Sequence, residues 1–142
     1  MKTVRQLLEA KEQVIWWVAP DARVIDALRC MADKDVGAVL VMEGGRLKGI
    51  FSERDYARKI ALQGRTSAET RVGEVMTGKV VFVRPTQTVD ECMAIMTEKR
   101  CRHLPVLDGE TVLGVISIGD CVRETISEQE FIIHQLENYI MH

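Results

Sequence analysis

Two serine–aspartate pairs carry the chemistry that this sequence offers most directly. Ser52 stands three residues before Asp55 at the end of Gly49-Ile50-Phe51-Ser52-Glu53-Arg54-Asp55. Ser117 stands three before Asp120 at the end of Gly114-Val115-Ile116-Ser117-Ile118-Gly119-Asp120. In each stretch the glycine and apolar pair read as the end of a buried strand, and Ser-x-x-Asp carries the chain over into a helix. Two uses fit. A serine at a helix start caps orphan N–H groups, and an acidic residue three positions on completes a capping box. Alternatively, the aspartate accepts hydrogen bonds from two ribose hydroxyls while the serine and the helix N-terminus face a phosphate.

Basic residues stand near both motifs. Lys99, Arg100, Arg102 and His103 form a basic knot in a chain whose net charge is −2, and Arg54, Arg58 and Arg123 flank the motifs. Arginine suits bidentate phosphate contact; the competing use is a solvated charge on a helix end or rim. Trp16 and Trp17 serve either as core or as a stacking platform. There is no Gly-x-Gly-x-x-Gly, so any dinucleotide would not be held in the Rossmann manner. No nucleophile–base pair, metal-ligand cluster or partnered general acid is visible, and an enzyme is not expected.

The motifs belong to a larger repeat. Residues 18–58 slide by 65 positions onto residues 83–123 without a gap. Eleven of the 41 pairs are identical, at Val18, Pro20, Val24, Met31, Lys34, Val41, Gly44, Gly49, Ser52, Asp55 and Arg58. Such self-similarity marks a duplicated supersecondary unit whose copies bury their faces together, here as a closed pseudo-twofold pair. The copies are not identical in charge. Glu53-Arg54 becomes Ile118-Gly119, and Gly37-Ala38 becomes Arg102-His103. Two different occupants, or two affinities, are therefore expected.

The elements that position these residues follow from periodicity. Residues 3–10 read as a short helix with Val4, Leu7 and Leu8 on one face, and 14–18 as a strand that Pro20 ends. Val24, Ala27, Leu28 and Met31 recur at helical spacing. Residues 38–42 and 47–51 read as strands about a Glu43-Gly44-Gly45-Arg46 hairpin, and a helix runs from Glu53 to about Leu62. The second copy repeats the order: a strand over 80–83, a helical stripe at Val89, Met93 and Met96, strands over 104–107 and 112–117, and a helix from 118 to about 126. Ser127-Glu128-Gln129-Glu130 opens a further amphipathic helix, expected to pack on its own domain or on a partner subunit.

Composition narrows the class. The 142 residues suffice for one compact domain with a core. The acidic balance argues against a general nucleic-acid binder. No apolar run approaches a membrane span, and Met1 to Arg5 lead into no signal-peptide core, so the expected compartment is cytoplasmic. Cys30, Cys92, Cys101 and Cys121 show neither a Cys-x-x-Cys pair nor zinc spacing, and are expected to be reduced core residues.

The paired Gly-h-h-Ser-x-x-Asp motifs (h, apolar), the fixed spacing and the strand-helix-strand-strand-helix order resemble a tandem pair of cystathionine-beta-synthase (CBS) domains, a Bateman module. The tracts Ser52 to Lys59 and Arg100 to Val106 resemble a stand-alone bacterial subgroup. The resemblance implies an α+β (α/β) fold: a first domain over 8–64, a linker over 65–73, a second domain over 74–126 and a C-terminal helix over 127–142. It implies two clefts for adenosine-type ligands and a disc-shaped homodimer that regulates some other protein. By that resemblance, Asp55 and Asp120 bind ribose and Ser52 and Ser117 sit near phosphate. Ala38 and Pro105 wall the adenine, and the backbone around Trp17, Val80 and Val81 reads its edge. Separately from the resemblance, the charge and position of Arg54, Arg58, Arg102 and His103 place them at the phosphate end. AMP is the first choice of ligand, with NAD, NADH, ATP or ADP in the other cleft. The alternatives are a structural or nucleic-acid-binding dimer without a nucleotide, and a nucleotide-hydrolysing enzyme.

Overall fold

The computed structural model describes residues 2–11 and 15–141. In chain order its elements are α1 (Val4–Glu9), β1 (Trp17–Val18), α2 (Val24–Lys34), β2 (Ala38–Glu43), β3 (Arg46–Ser52), α3 (Glu53–Asp55) continuing as a π-helix (Tyr56–Ala61), α4 (Val72–Val75), α5 (Val89–Lys99), β4 (His103–Asp108), β5 (Thr111–Ser117) and α6 (Ile118–Met141). This is the mixed α+β content that the repeat implies. Two compact units form: residues 15–81 with 109–112, and residues 2–11 with 82–108 and 113–141.

In the first unit β1 pairs parallel with β2, and β2 antiparallel with β3. The β2–β3 hairpin closes on Gly44 and Gly45, whose φ of 59° and 76° suit the two-residue turn that matches strand twist. The ladder runs from Ala38↔Ser52 to Val41↔Gly49 and then shifts register before Met42↔Leu47. α2 lays Val24, Ala27 and Met31 on Val39, Val41 and Phe51, and Ile60, Val72 and Val75 complete the core. Half-buried Trp16 packs against that core, with Lys34 Nζ 4.6 Å from its ring centroid. Trp17 is 54% exposed, and of the 14–18 run Val14 lies outside the described residues.

The polar stretch 65–73 is bonded into this unit. Val24 N–H donates to the Thr70 carbonyl, Val72 N–H to that of Ala22 and Gly73 N–H to that of Pro20. Thr70 and Val72 are buried. Beyond α4, Thr77 pairs with Ile50 across the free edge of β3. Gly49 makes that crossing feasible: a Cβ there would lie 2.7 Å from both Met76 Sδ and the Thr77 carbonyl oxygen.

The second unit repeats the plan with α1 in the place of α4. α1 buries Val4, Leu7 and Leu8 and is capped by Thr3, whose hydroxyl accepts the Gln6 N–H. A Cβ at Gly114 would lie 2.9 Å from Leu8 Cδ2, the counterpart of the Gly49 crossing. α5, capped by Thr88, buries Val89, Cys92 and Met96, and β4 pairs with β5. Val83, Leu104, Val106, Ile116 and Cys121 are buried.

Three expectations are corrected. No strand spans 80–83; only Val83 pairs, with Val106. In the first copy Leu40 N–H donates to the Trp16 carbonyl, and its counterpart 65 residues on is Pro105, which has no N–H to extend a parallel ladder. The helix from Glu53 is α-helical only to Asp55 and then π-helical, with Leu62 N–H donating to the Ala57 carbonyl five residues back. No new helix opens at Ser127, because α6 runs unbroken from Ile118 to Met141. Nothing from 120 to 141 is glycine or proline, so no residue there stops it.

Candidate functional site

In each unit a strand ends at a serine that starts a helix, and the aspartate three residues on is buried. Ser52 has an extended backbone, and its hydroxyl accepts the Asp55 N–H at 3.2 Å. Asp55 Oδ2 accepts the Ser52 N–H at 3.0 Å and its hydroxyl at 3.1 Å. The helix head is tied to β2, since Glu53 N–H donates to the Gly37 carbonyl at 3.1 Å. Asp55 Oδ1 accepts from Thr77 Oγ1 at 3.0 Å, and Lys59 Nζ lies 3.0 Å from the same oxygen. Lys59 also donates to the Val75 carbonyl at 2.9 Å.

The second motif is built alike with different donors. Asp120 N–H donates to Ser117 Oγ at 3.1 Å, and Ser117 N–H to Asp120 Oδ2 at 2.9 Å. Ile118 N–H donates to the Arg102 carbonyl at 2.8 Å. Lys11 Nζ reaches Asp120 Oδ2 at 2.7 Å and the Val115 carbonyl at 3.0 Å, while Arg123 Nη2 lies 2.8 Å from Oδ1. Burial alone would raise the Asp120 pKa. The Lys11 and Ser117 hydrogen bonds outweigh it and hold the carboxyl below its usual value, so the group is ionised at neutral pH.

The capping use of both serine–aspartate pairs is thus realised, and each carboxylate also gathers cations. A carboxylate has about four acceptor positions. Among the described residues four donors engage Asp55 and three engage Asp120. A sugar diol entering either site must therefore displace a side chain. The mobile candidates are long and part-exposed: Lys59 at 41%, Lys11 at 39% and Arg123 at 73% of side-chain area.

The other expected site residues divide between the units. Trp17, Ala38, Ser52, Arg54, Asp55, Arg58, Val80 and Val81 fall in the first; Arg102, His103, Pro105, Ser117 and Asp120 fall in the second. Arg58 and Arg102 are exposed, Ala38, Arg54, Val80, Val81 and His103 half-buried, and Pro105 buried. Trp17 lines a recess of about 480 Å³ with Met42 and Arg46, apart from Ser52 and Asp55. A smaller recess of about 270 Å³ beside Gly37 and Glu53 borders the first helix head. Lys11, Lys59 and Thr77 escape sequence reasoning. Lys59 alone left a signal, four residues after Asp55, the spacing at which helical charges meet. Lys11 and Thr77 are brought in by tertiary structure.

None of the four thiols is in a disulfide: Cys92 and Cys121 are buried, Cys30 and Cys101 half-buried. Burial, reinforced by neighbouring thiol and acidic groups, pushes Cys92 up to about 12, and burial with the Asp120 charge pushes Cys121 up to about 11. Among the described residues no three His, Cys, Asp or Glu side chains gather to hold a metal ion, and no helix is long and apolar enough to cross a membrane.

Comparison with known proteins gives a consistent picture. The CBS domain family matches residues 4–62 and 72–127. The CBS domain-containing mitochondrial protein CBSX3 of Arabidopsis thaliana is 41% identical over 129 residues, which are 87% of this chain and 63% of CBSX3. The chain therefore spans somewhat less than two thirds of that relative. The structure of a CBS-domain protein from Burkholderia ambifaria superposes with a TM-score of 0.87 at 53% identity, covering 90% of this chain and 96% of that one. At 18% identity, the CBS domain pair of protein MJ0100, solved with 5′-methylthioadenosine and S-adenosyl-L-methionine, shares the fold with a TM-score of 0.79, covering 90% of this chain and 98% of that one.

Proposed function

This chain belongs to the CBS domain family, and from that premise we propose that it is a regulatory module that binds adenine nucleotides at its two Ser-x-x-Asp helix heads. AMP is the first ligand, and NAD, NADH, ATP or ADP is the candidate for the second site. One observation carries the proposal: two buried aspartates 65 residues apart each stand at the head of a helix with a displaceable cation on the carboxylate. The adenosine group common to both MJ0100 ligands supports the ligand class.

The chemistry is an exchange of partners. The ribose diol takes acceptor positions on Asp120, and Arg123, released from Oδ1, turns to the phosphate that the diol brings with it. The Ser117 hydroxyl and the positive end of the α6 dipole face the same phosphate. In the first unit Asp55 gives up Lys59 or Thr77 in the same way, and Arg54 and Arg58 supply charge. Differential affinity for two arrangements of the chain then makes the occupied state legible to a regulated protein. No catalytic step is assigned, and the working assembly is a homodimer.

Mass spectrometry of small molecules released from freshly purified protein, followed by calorimetric titration with AMP, adenosine and NADH, tests this directly. An adenine nucleotide in the released fraction and a heat of binding for AMP are the expected results. No heat with any of the three, together with salt-sensitive RNA binding, would establish the structural or nucleic-acid alternative instead.

A further inference from the structure

From Ile126 onward α6 carries large apolar side chains that remain in water: Ile126 is 50% exposed, Leu136 56% and Ile140 79%. Their order is regular. Val122, Ile126, Gln129, Ile133, Leu136 and Ile140 alternate steps of four and three, a seven-residue repeat with isoleucine at each a position and Val, Gln and Leu at d. We propose that this stripe pairs with the same stripe of a second copy of the chain, the two helices running parallel and in register.

The choice of partner and direction follows from the residues. β-branched a positions with a leucine d position favour two parallel strands. The flanking e positions are Arg123, Glu130 and Glu137, and the g positions are Thr125, Ile132 and Tyr139. Parallel pairing sets g of one helix against e of the other, so no two acids meet. Antiparallel pairing sets e against e and brings Glu130 against its own copy at the centre of the stripe. Gln129 meets its own copy in the seam, where its amide can both donate and accept, which fixes the register.

The exposed apolar face is also extensive. The exposed fractions along this face, with Ile132 and Tyr139, amount to about four whole side chains. The helix is already nucleated by its first turns in the second unit, so pairing does not carry the cost of starting it. A lipid surface suits it poorly, because Glu124, Glu128, Glu130 and Glu137 would face anionic headgroups.

Sedimentation equilibrium of the full chain is expected to give twice the monomer mass, and Ile133→Glu with Leu136→Glu to return it to one. Both positions are exposed in the single chain, so the variant keeps its circular dichroism. It also keeps its AMP titration, which separates this outcome from failure of the nucleotide proposal. Ile140→Cys is expected to form a 140–140 disulfide-linked dimer under mild oxidation. A wild type that stays monomeric, a dimer that survives the double substitution, absence of the 140–140 link, or binding to anionic vesicles in place of self-association would overturn the proposal.

Discussion

Asp120→Asn separates the structural work of this side chain from the work proposed for it. Asparagine keeps the shape and an acceptor oxygen for the Ser117 N–H, which the carboxylate accepts at 2.9 Å. It removes the charge that Lys11 Nζ and Arg123 Nη2 approach at 2.7 and 2.8 Å. Those two side chains are 39% and 73% exposed, so water screens both pairs. The loss of folding stability is therefore held to about 1–2 kcal/mol. A ribose diol loses a charged acceptor, worth about 1.5–3 kcal/mol, so affinity falls by roughly tenfold to a hundredfold. Calorimetric titration of AMP into wild type, Asp55→Asn and Asp120→Asn assigns the loss to one site, and urea unfolding supplies the stability. AMP binding by Asp120→Asn with wild-type affinity and stoichiometry would refute the assignment. Acid supplies a second check. The folded pKa of Asp120 lies below its ordinary 3.8, so its stabilisation is full well above that value and disappears as pH falls through the folded value. The stability gap between wild type and Asp120→Asn should therefore close on acidification. A gap that widens would show that the carboxylate is not held by its cations.

Gly49→Ala and Gly114→Ala should differ although the glycines are repeat equivalents. The added Cβ meets a backbone carbonyl at 2.7 Å in the first case and the mobile end of Leu8 at 2.9 Å in the second. Costs of about 2–3 and under about 1 kcal/mol are expected from urea unfolding, and equal costs would disprove the crossing argument. Arg102→Ala and Arg123→Ala should weaken AMP more than adenosine in parallel titrations; equal losses would place neither side chain on phosphate. A thiol reagent at neutral pH should modify Cys30 and Cys101 in the native protein and reach Cys92 and Cys121 only on unfolding, because burial holds these two in the protonated form. Rapid modification of all four in native protein would contradict the packing of α5 on α6.

The features legible in the residues alone are local or periodic. The 65-residue repeat, the Gly44-Gly45 turn, the α2 and α5 stripes and the Ser-x-x-Asp caps depend on residues close together in the chain, and such patterns can be counted without coordinates. Pro105 shows the limit of copying one repeat onto the other. Its missing N–H was visible in the sequence, but only the ladder showed that Leu40 uses that bond in the first copy. The partners of the two aspartates come from contacts distant in the chain. Thr77 is 22 residues from Asp55 and Lys11 is 109 from Asp120, so no spacing rule reaches them. They arrive because α4 and α1 cross the strand edges at Gly49 and Gly114, where the lack of a side chain lets another part of the chain approach. The continuity of α6 past Ser127 was likewise undecided by a polar tract that can open a helix or lie within one, since that depends on the backbone already being helical when it arrives.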